Sequence, residues 1–212
     1  GDGASRGKMS RPETHLRFLR PHECVALQWL PKDSGSVVLP VALTSAAEFF
    51  AVVLSDVSPL SALLHTVQGD RAIVEERWVP SVAYGGLERE LRYEAALKSD
   101  RLWVKIQEEQ SFRALDKTSL EANVLPEPNA VAVWDRRIQL QPPEGDDGAC
   151  ADGGACVLLR ISVHKSPGDP ARLWIRSAVG APKQNQKRMV AAAQYDLELL
   201  RSLVPHALHK WL

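Results

Sequence analysis

The chain has 212 residues, 26 basic and 26 acidic side chains, and 45 % hydrophobic residues. That suffices for one compact core, and the balanced charge gives no bulk electrostatic case for a nucleic-acid partner. No apolar run reaches the ~18–20 residues that span a bilayer, and the opening GDGASRGKMSRPETH has no apolar signal core.

Three cysteines, Cys24, Cys150 and Cys156, are too few for a disulfide scaffold and suit a reducing compartment. Cys150 and Cys156 flank ADGGA without the further ligands a zinc site needs. They read as free thiols in a loop.

In chain order, residues 1–31 read as a flexible leader or N-terminal extension, with a short strand around Cys24 to Trp29. Residues 32–212 read as a single domain. KDSG (32–35) reads as a turn, and SVVLPVAL (36–43) is rich in strand formers, with Pro40 marking an edge or bulge. LTSAAEFFAVVLSD (43–56) opens with Thr44 or Ser45 as a helix cap and Glu48 one turn on, a capping box. Its helix is apolar almost all round, with Phe49, Phe50, Val52, Val53 and Leu54. An ordinary surface helix needs only one apolar stripe, so this one wants cover on several sides or a cavity to line. Ser58 and Pro59 start a second helix, LSALLHTVQ (60–68), which Gly69-Asp70 stops.

The period then changes from helical to two-fold. AIVEERWVP (72–80) is a strand candidate. GLERELRYEAAL (86–97) puts Leu87, Arg89, Leu91, Tyr93, Ala95 and Leu97 on one face. LWVKIQEEQSF (102–112) groups Leu102, Val104, Ile106 and Phe112. SLEANVL (119–125) follows a turn. AVAVWDRRIQLQ (130–141) groups Trp134, Ile138 and Leu140, and ACVLLRISVHK (155–165) groups Val157, Leu159, Ile161 and Val163. ARLWIRSAV (171–179) ends the run. Short strands between turn signals imply one antiparallel meander. PPEGDDGACADGGA (142–155) is a floppy acidic, Gly-rich connection. A long helix closes the chain, with Met189, Val190, Ala193, Leu197, Leu200 and Val204 in one stripe and Pro205 ending or kinking it.

The expected fold is therefore α+β: a curved antiparallel sheet of about six to seven strands wrapped on a long C-terminal helix, with two short helices after the first strand. The small residues Ala191, Ala192 and Ala193 would leave room between helix and sheet for an apolar ligand cavity.

Four stretches carry a resemblance to a known family. They are LTSAAEFFAVVLSD, RAIVEERWVPSVAYGGLERELRYEAAL, VKIQEEQSFRA and SLEANVLPEPNAVAVWDRRIQLQ. Together, over roughly residues 36–204, they resemble the VASt domain, the StART-like, helix-grip sterol-binding module of the Aster and Lam GRAM-domain lipid-transfer proteins. Their joint order carries the likeness, since each pattern alone is degenerate. Two features depart from the family. The loop after Leu97 reads KSDRLW, without the Gly/Pro-Lys signature common in the lid, and the 142–155 insertion is atypical.

The resemblance implies a protein that binds sterol or a related lipid and transfers it between membranes. Its setting would be the cytoplasmic face of intracellular membranes, at endoplasmic reticulum contact sites, with a GRAM module and membrane anchor in flanking regions. The isolated domain would be monomeric, without cofactor, metal or nucleic-acid partner. Expected cavity residues are Trp78, Arg89, Leu91, Tyr93, Val104, Ile106, Trp134, Ile138, Leu159 and Ile161 from the sheet, and Ala193, Leu197 and Leu200 from the helix. Arg89 reads either as a polar anchor for a lipid head group or as a structural Arg paired with a carboxylate. Lys98, Arg101, Leu102 and Trp103 form a lid that would touch a membrane. Lys183, Lys187 and Arg188 add cations at the last helix's start, suited to an anionic surface.

Two other classes compete. One is a protein-interaction module with a filled core; the other is a helix-grip enzyme with titratable residues in its cavity. Catalysis finds little support: the six His residues show no HExxH spacing. There is no G-x-S-x-G or phosphate-binding loop, and Glu108 and Glu109 alternate faces and cannot act as a pair.

Overall fold

The computed structural model describes residues 32–81, 85–97, 102–115, 130–141, 155–181 and 183–209. The leader, the 119–125 strand, Lys98, Arg101, Cys24, Cys150 and nearly all of the 142–155 loop lie outside these residues. The element order is β1 (Lys32–Val38), α1 (Ala46–Phe49) running into one π-helical turn (Phe50–Leu54), α2 (Leu60–Gln68), β2 (Arg71–Glu75), β3 (Val79–Ser81), β4 (Gly86–Leu97), β5 (Leu102–Ala114), β6 (Ala130–Gln141), β7 (Ala155–Lys165), β8 (Leu173–Gly180) and α3 (Lys183–His209).

The alternating segments pair as one open antiparallel sheet of eight strands in the order β1-β8-β7-β6-β5-β4-β2, with β3 also on β4. This is the expected α+β architecture. Helix α3 packs on β1 and β8. The other half of the inner face lies under the first two helices: Phe49 and Phe50 meet Phe112 with ring centroids 6.4 and 5.1 Å apart. The near-continuous apolar run of α1 and its π-turn is thereby explained, since Phe49, Val52, Val53 and Leu54 are all buried and Phe50 half-buried.

The capping box forms. Ser45 Oγ accepts from the Glu48 N–H at 3.2 Å, while the Glu48 carboxylate accepts from the Thr44 N–H at 2.6 Å. Gly69, at φ 76°, supplies the left-handed residue that ends α2.

Four expectations are corrected. KDSG is no turn but the start of β1, which bulges where Gly35 sits at φ 121° and its N–H donates to Asp33 Oδ1. Residues 72–80 are two strands, because Trp78 turns inward to donate its indole N–H to the Leu54 carbonyl at 2.6 Å. Of the two readings of Pro205, the ending is overturned: helix α3 runs through it to His209, since Val204 and Ala207 still have an apolar core to bury in. Ala191 and Ala192 are exposed, so Ala193 is the member of that triplet turned towards the sheet.

Candidate functional site

Strand register sorts the inner face into rows. In the first row, Leu87, Phe112, Trp134 and Ile161 stand side by side. The second places Arg89 beside Gln110, then Arg136, then Leu159. The third runs Leu91, Glu108, Ile138, Val157, and the fourth runs Tyr93, Ile106, Leu140. Apolar rows thus lie above and below a polar belt in the middle of the core.

The belt is densely bonded. Arg136 grips Glu108 with two hydrogen bonds, Nε to Oε1 at 2.6 Å and Nη2 to Oε2 at 3.0 Å. The Tyr93 hydroxyl donates to Glu108 Oε2 at 2.9 Å, and the Gln110 amide donates to Oε1. Arg89 donates Nε to Gln110 Oε1 at 2.9 Å, pairs with Glu75, and lies 4.6 Å over the Trp78 ring. Of the two readings of Arg89, this geometry is the paired one.

Two helices close over the belt. Asp196 of α3 accepts from the Gln68 amide of α2 at 3.0 Å and stands 3.6 Å from Arg136 Nη1. His65 of α2 holds Asp70 at 2.7 Å and sets its ring edge on Tyr93. Beneath the Gln68–Asp196 bridge lies a cavity of about 30 Å³ bordered by His65, Gln68, Trp134, Arg136, Asp196 and Leu200, among others. That is room for one water-sized group.

The electrostatics follow from burial and pairing. Burial pushes the Glu108 carboxyl up, but the Arg136 guanidinium and the bonds from Gln110 and Tyr93 outweigh it, bringing it from 4.5 to about 2. Burial likewise raises Asp196, and the distant Arg136 contact does not fully offset it. Burial, then the Glu108 charge, holds the Tyr93 phenol well above its usual range. Burial lowers Arg89 against the pull of Glu75 and Glu108.

The expected site residues are partly gathered. Leu91, Tyr93, Val104, Leu159, Ile161, Ala193, Leu197 and Leu200 are buried on the inner face or on α3, and Ile106 and Ile138 are half-covered. Trp134 borders the cavity, whereas Trp78 packs against Phe50 and Arg89 at the far end of the belt. Below the belt stand half-covered Ile106, Ile138 and Leu140 and buried Val157, and half-buried Met189 and Val190 of α3 pack on the cluster that Val157 forms with Leu159, Val179, Ala181 and Ala193.

Of the expected lid, Trp103 is 38 % exposed and carries the Arg71 guanidinium 3.7 Å over its ring. Lys187 and Arg188 are exposed on α3. Leu102 and Lys183 begin β5 and α3. The antiparallel order puts these two starts at one end of the sheet.

Sequence reading missed Glu108, Gln110, Arg136 and Asp196. The signal was present. Val104, Ile106 and Phe112 fix the inward parity of β5, which carries Glu108 and Gln110 with it. Trp134 and Ile138 do the same for Arg136, and Asp196 lies three residues after Ala193 on the inward stripe of α3.

A second concavity, of about 410 Å³, opens on the outer face between Glu76, Glu88, Glu109 and Arg137. Much of its charge is mutually satisfied, as in Arg137–Glu109 at 3.2 Å. Among the described residues no cluster of His, Cys, Asp or Glu could hold a metal, and no helix is long and apolar enough to cross a membrane. No protein-family model matches the chain, and no match was found among curated proteins.

Proposed function

We propose that this domain binds an amphipathic lipid of sterol shape on the inner face of its sheet and carries it between membranes, as a binding module and not a catalyst. One observation carries the reading. The half-covered apolar wall of Ile106, Ile138 and Leu140, continued by Val157 in the cluster on which Met189 and Val190 of α3 pack, ends on a buried polar belt. An apolar body with one polar end matches that sequence of surfaces. The resemblance to the VASt domain points the same way.

The open end of the wall is where a membrane would be met. Exposed Trp103 with Arg71 over its ring, and exposed Lys187 and Arg188, suit contact with an anionic surface at about 1 kcal/mol per cation. The cytoplasmic face of endoplasmic reticulum contact sites is the corresponding setting.

The test is titration with the naturally fluorescent sterol dehydroergosterol, competed by unlabelled sterols and by phospholipids. Saturable binding displaced by sterols is expected. Ile138→Trp, which fills the wall, should weaken it at least about tenfold, whereas Tyr195→Ala, on the exposed side of α3, should not. Folded protein that binds no sterol sinks the reading and leaves a filled core suited to a protein partner.

A further inference from the structure

The belt uses up most of its own polar atoms. Arg89, Gln110 and Glu108 bond to one another or to Glu75 and Arg136, and His65 Nδ1 is taken by Asp70. Among the groups bordering the 30 Å³ cavity, Trp134 and Asp196 have hydrogen-bonding capacity left. Trp134 is only 3 % exposed, and its indole N–H, buried, has no hydrogen-bond partner among the described residues. A buried donor in that state is uncommon and calls for an acceptor. Asp196 uses Oδ1 for Gln68, while its Oδ2 stands 3.6 Å from Arg136, beyond hydrogen-bond length.

A buried unpaired donor and an acceptor therefore border a space the size of a single oxygen with its proton. We infer that the polar end of the ligand is a neutral hydroxyl seated in this cavity. Its oxygen accepts from the Trp134 indole N–H, and its proton is donated to the Asp196 carboxylate. The inference rests on the lipid-binding reading above and narrows it.

Charge excludes the alternatives. An anionic head would face Asp196, with Glu108 and Asp70 close behind, while both arginines are already held by carboxylates. A cationic head would meet Arg136 and an N–H that cannot accept a proton. Volume excludes a phosphate or choline group at this level.

The experiment compares three competitors against dehydroergosterol on the whole chain: cholesterol, its 3-keto analogue cholestenone, and cholesterol sulfate. Cholesterol should outcompete the ketone by roughly tenfold, because the ketone can accept from Trp134 but offers Asp196 no proton. The sulfate should compete far more weakly still. Asp196→Asn should erase or reverse the alcohol-over-ketone preference, since an amide can donate to a ketone. Trp134→Phe should weaken both about equally, with folding of each variant checked by thermal melting.

Equal competition by alcohol, ketone and sulfate on the wild-type protein would overturn the inference and leave lipid binding standing. A preference that survives Asp196→Asn unchanged would overturn it too. Absence of any sterol binding would instead overturn the reading it rests on, and the inference with it.

Discussion

Glu108 has no exposed surface, so its charge is tolerable only because Arg136 grips it with two hydrogen bonds. Removing one partner of such a pair leaves a buried charge alone, and Glu108→Ala should cost about 3–5 kcal/mol in urea unfolding. Replacing both, as Glu108→Leu with Arg136→Met, should cost far less or even stabilise, because an apolar pair needs no desolvation. The pH dependence has a definite sign. The Glu108 carboxyl falls from 4.5 in the open chain to about 2 when folded, so its contribution is complete above 4.5 and drains away as pH drops towards 2. At about 1.4 kcal/mol per pH unit the loss is about 3 kcal/mol. Asp196 opposes this: its folded carboxyl is raised, so its burial weighs against folding at neutral pH and is relieved on acidification. Melting temperature against pH should therefore fall on the acid side in the wild type and flatten in the double variant; an unchanged acid limb in that variant would contradict the assignment.

At the scale of elements, Gly86 shows how tightly two neighbours can sit. A Cβ there would stand 2.2 Å from the Phe112 carbonyl oxygen, so Gly86→Ala must push β4 off β5, with an expected loss of about 2 kcal/mol in thermal or urea unfolding. The elements differ in how legible they were. Strands β4 to β8 declared themselves, because alternation with one buried face is a strong and local signal. The capping box at Ser45 and the stop at Gly69 were equally local. What escaped reading depended on remote partners. Residues 32–35 become strand only because β8 is there to pair with, and the 72–80 run breaks only because Trp78 finds the Leu54 carbonyl. Pro205 is tolerated because apolar side chains beyond it are buried. The inward apolar residues of the site were legible for the same reason as the strands. The belt was not, because Arg89, Glu108, Gln110 and Arg136 interrupt the hydrophobic pattern, and what sustains them is one another, across three strands.

The whole molecule is a sheet with its first and second strands at opposite edges, joined by helices that cross the inner face. The polar belt divides that face into a large apolar cluster under α1, α2 and the C-terminal half of α3 and a smaller one under the start of α3. Ligand is expected to act on the second division. In hydrogen exchange, saturating sterol should slow amides in the N-terminal half of α3 and around the end of α2, where the Gln68–Asp196 bridge closes, and leave the centre of β8 unchanged. Uniform protection would argue against a localised seat. The same topology also bears on how the protein is made. Strand β1 has its partner in β8, and the Ser34–Ser177 hydrogen bond between them spans 143 positions. At about 5–20 residues per second, a ribosome needs roughly 7–30 s to synthesise that interval. For that time a nascent strand, with Val37 and the following Leu39 destined for the core, waits unpaired, a natural client for whatever shields emerging chains.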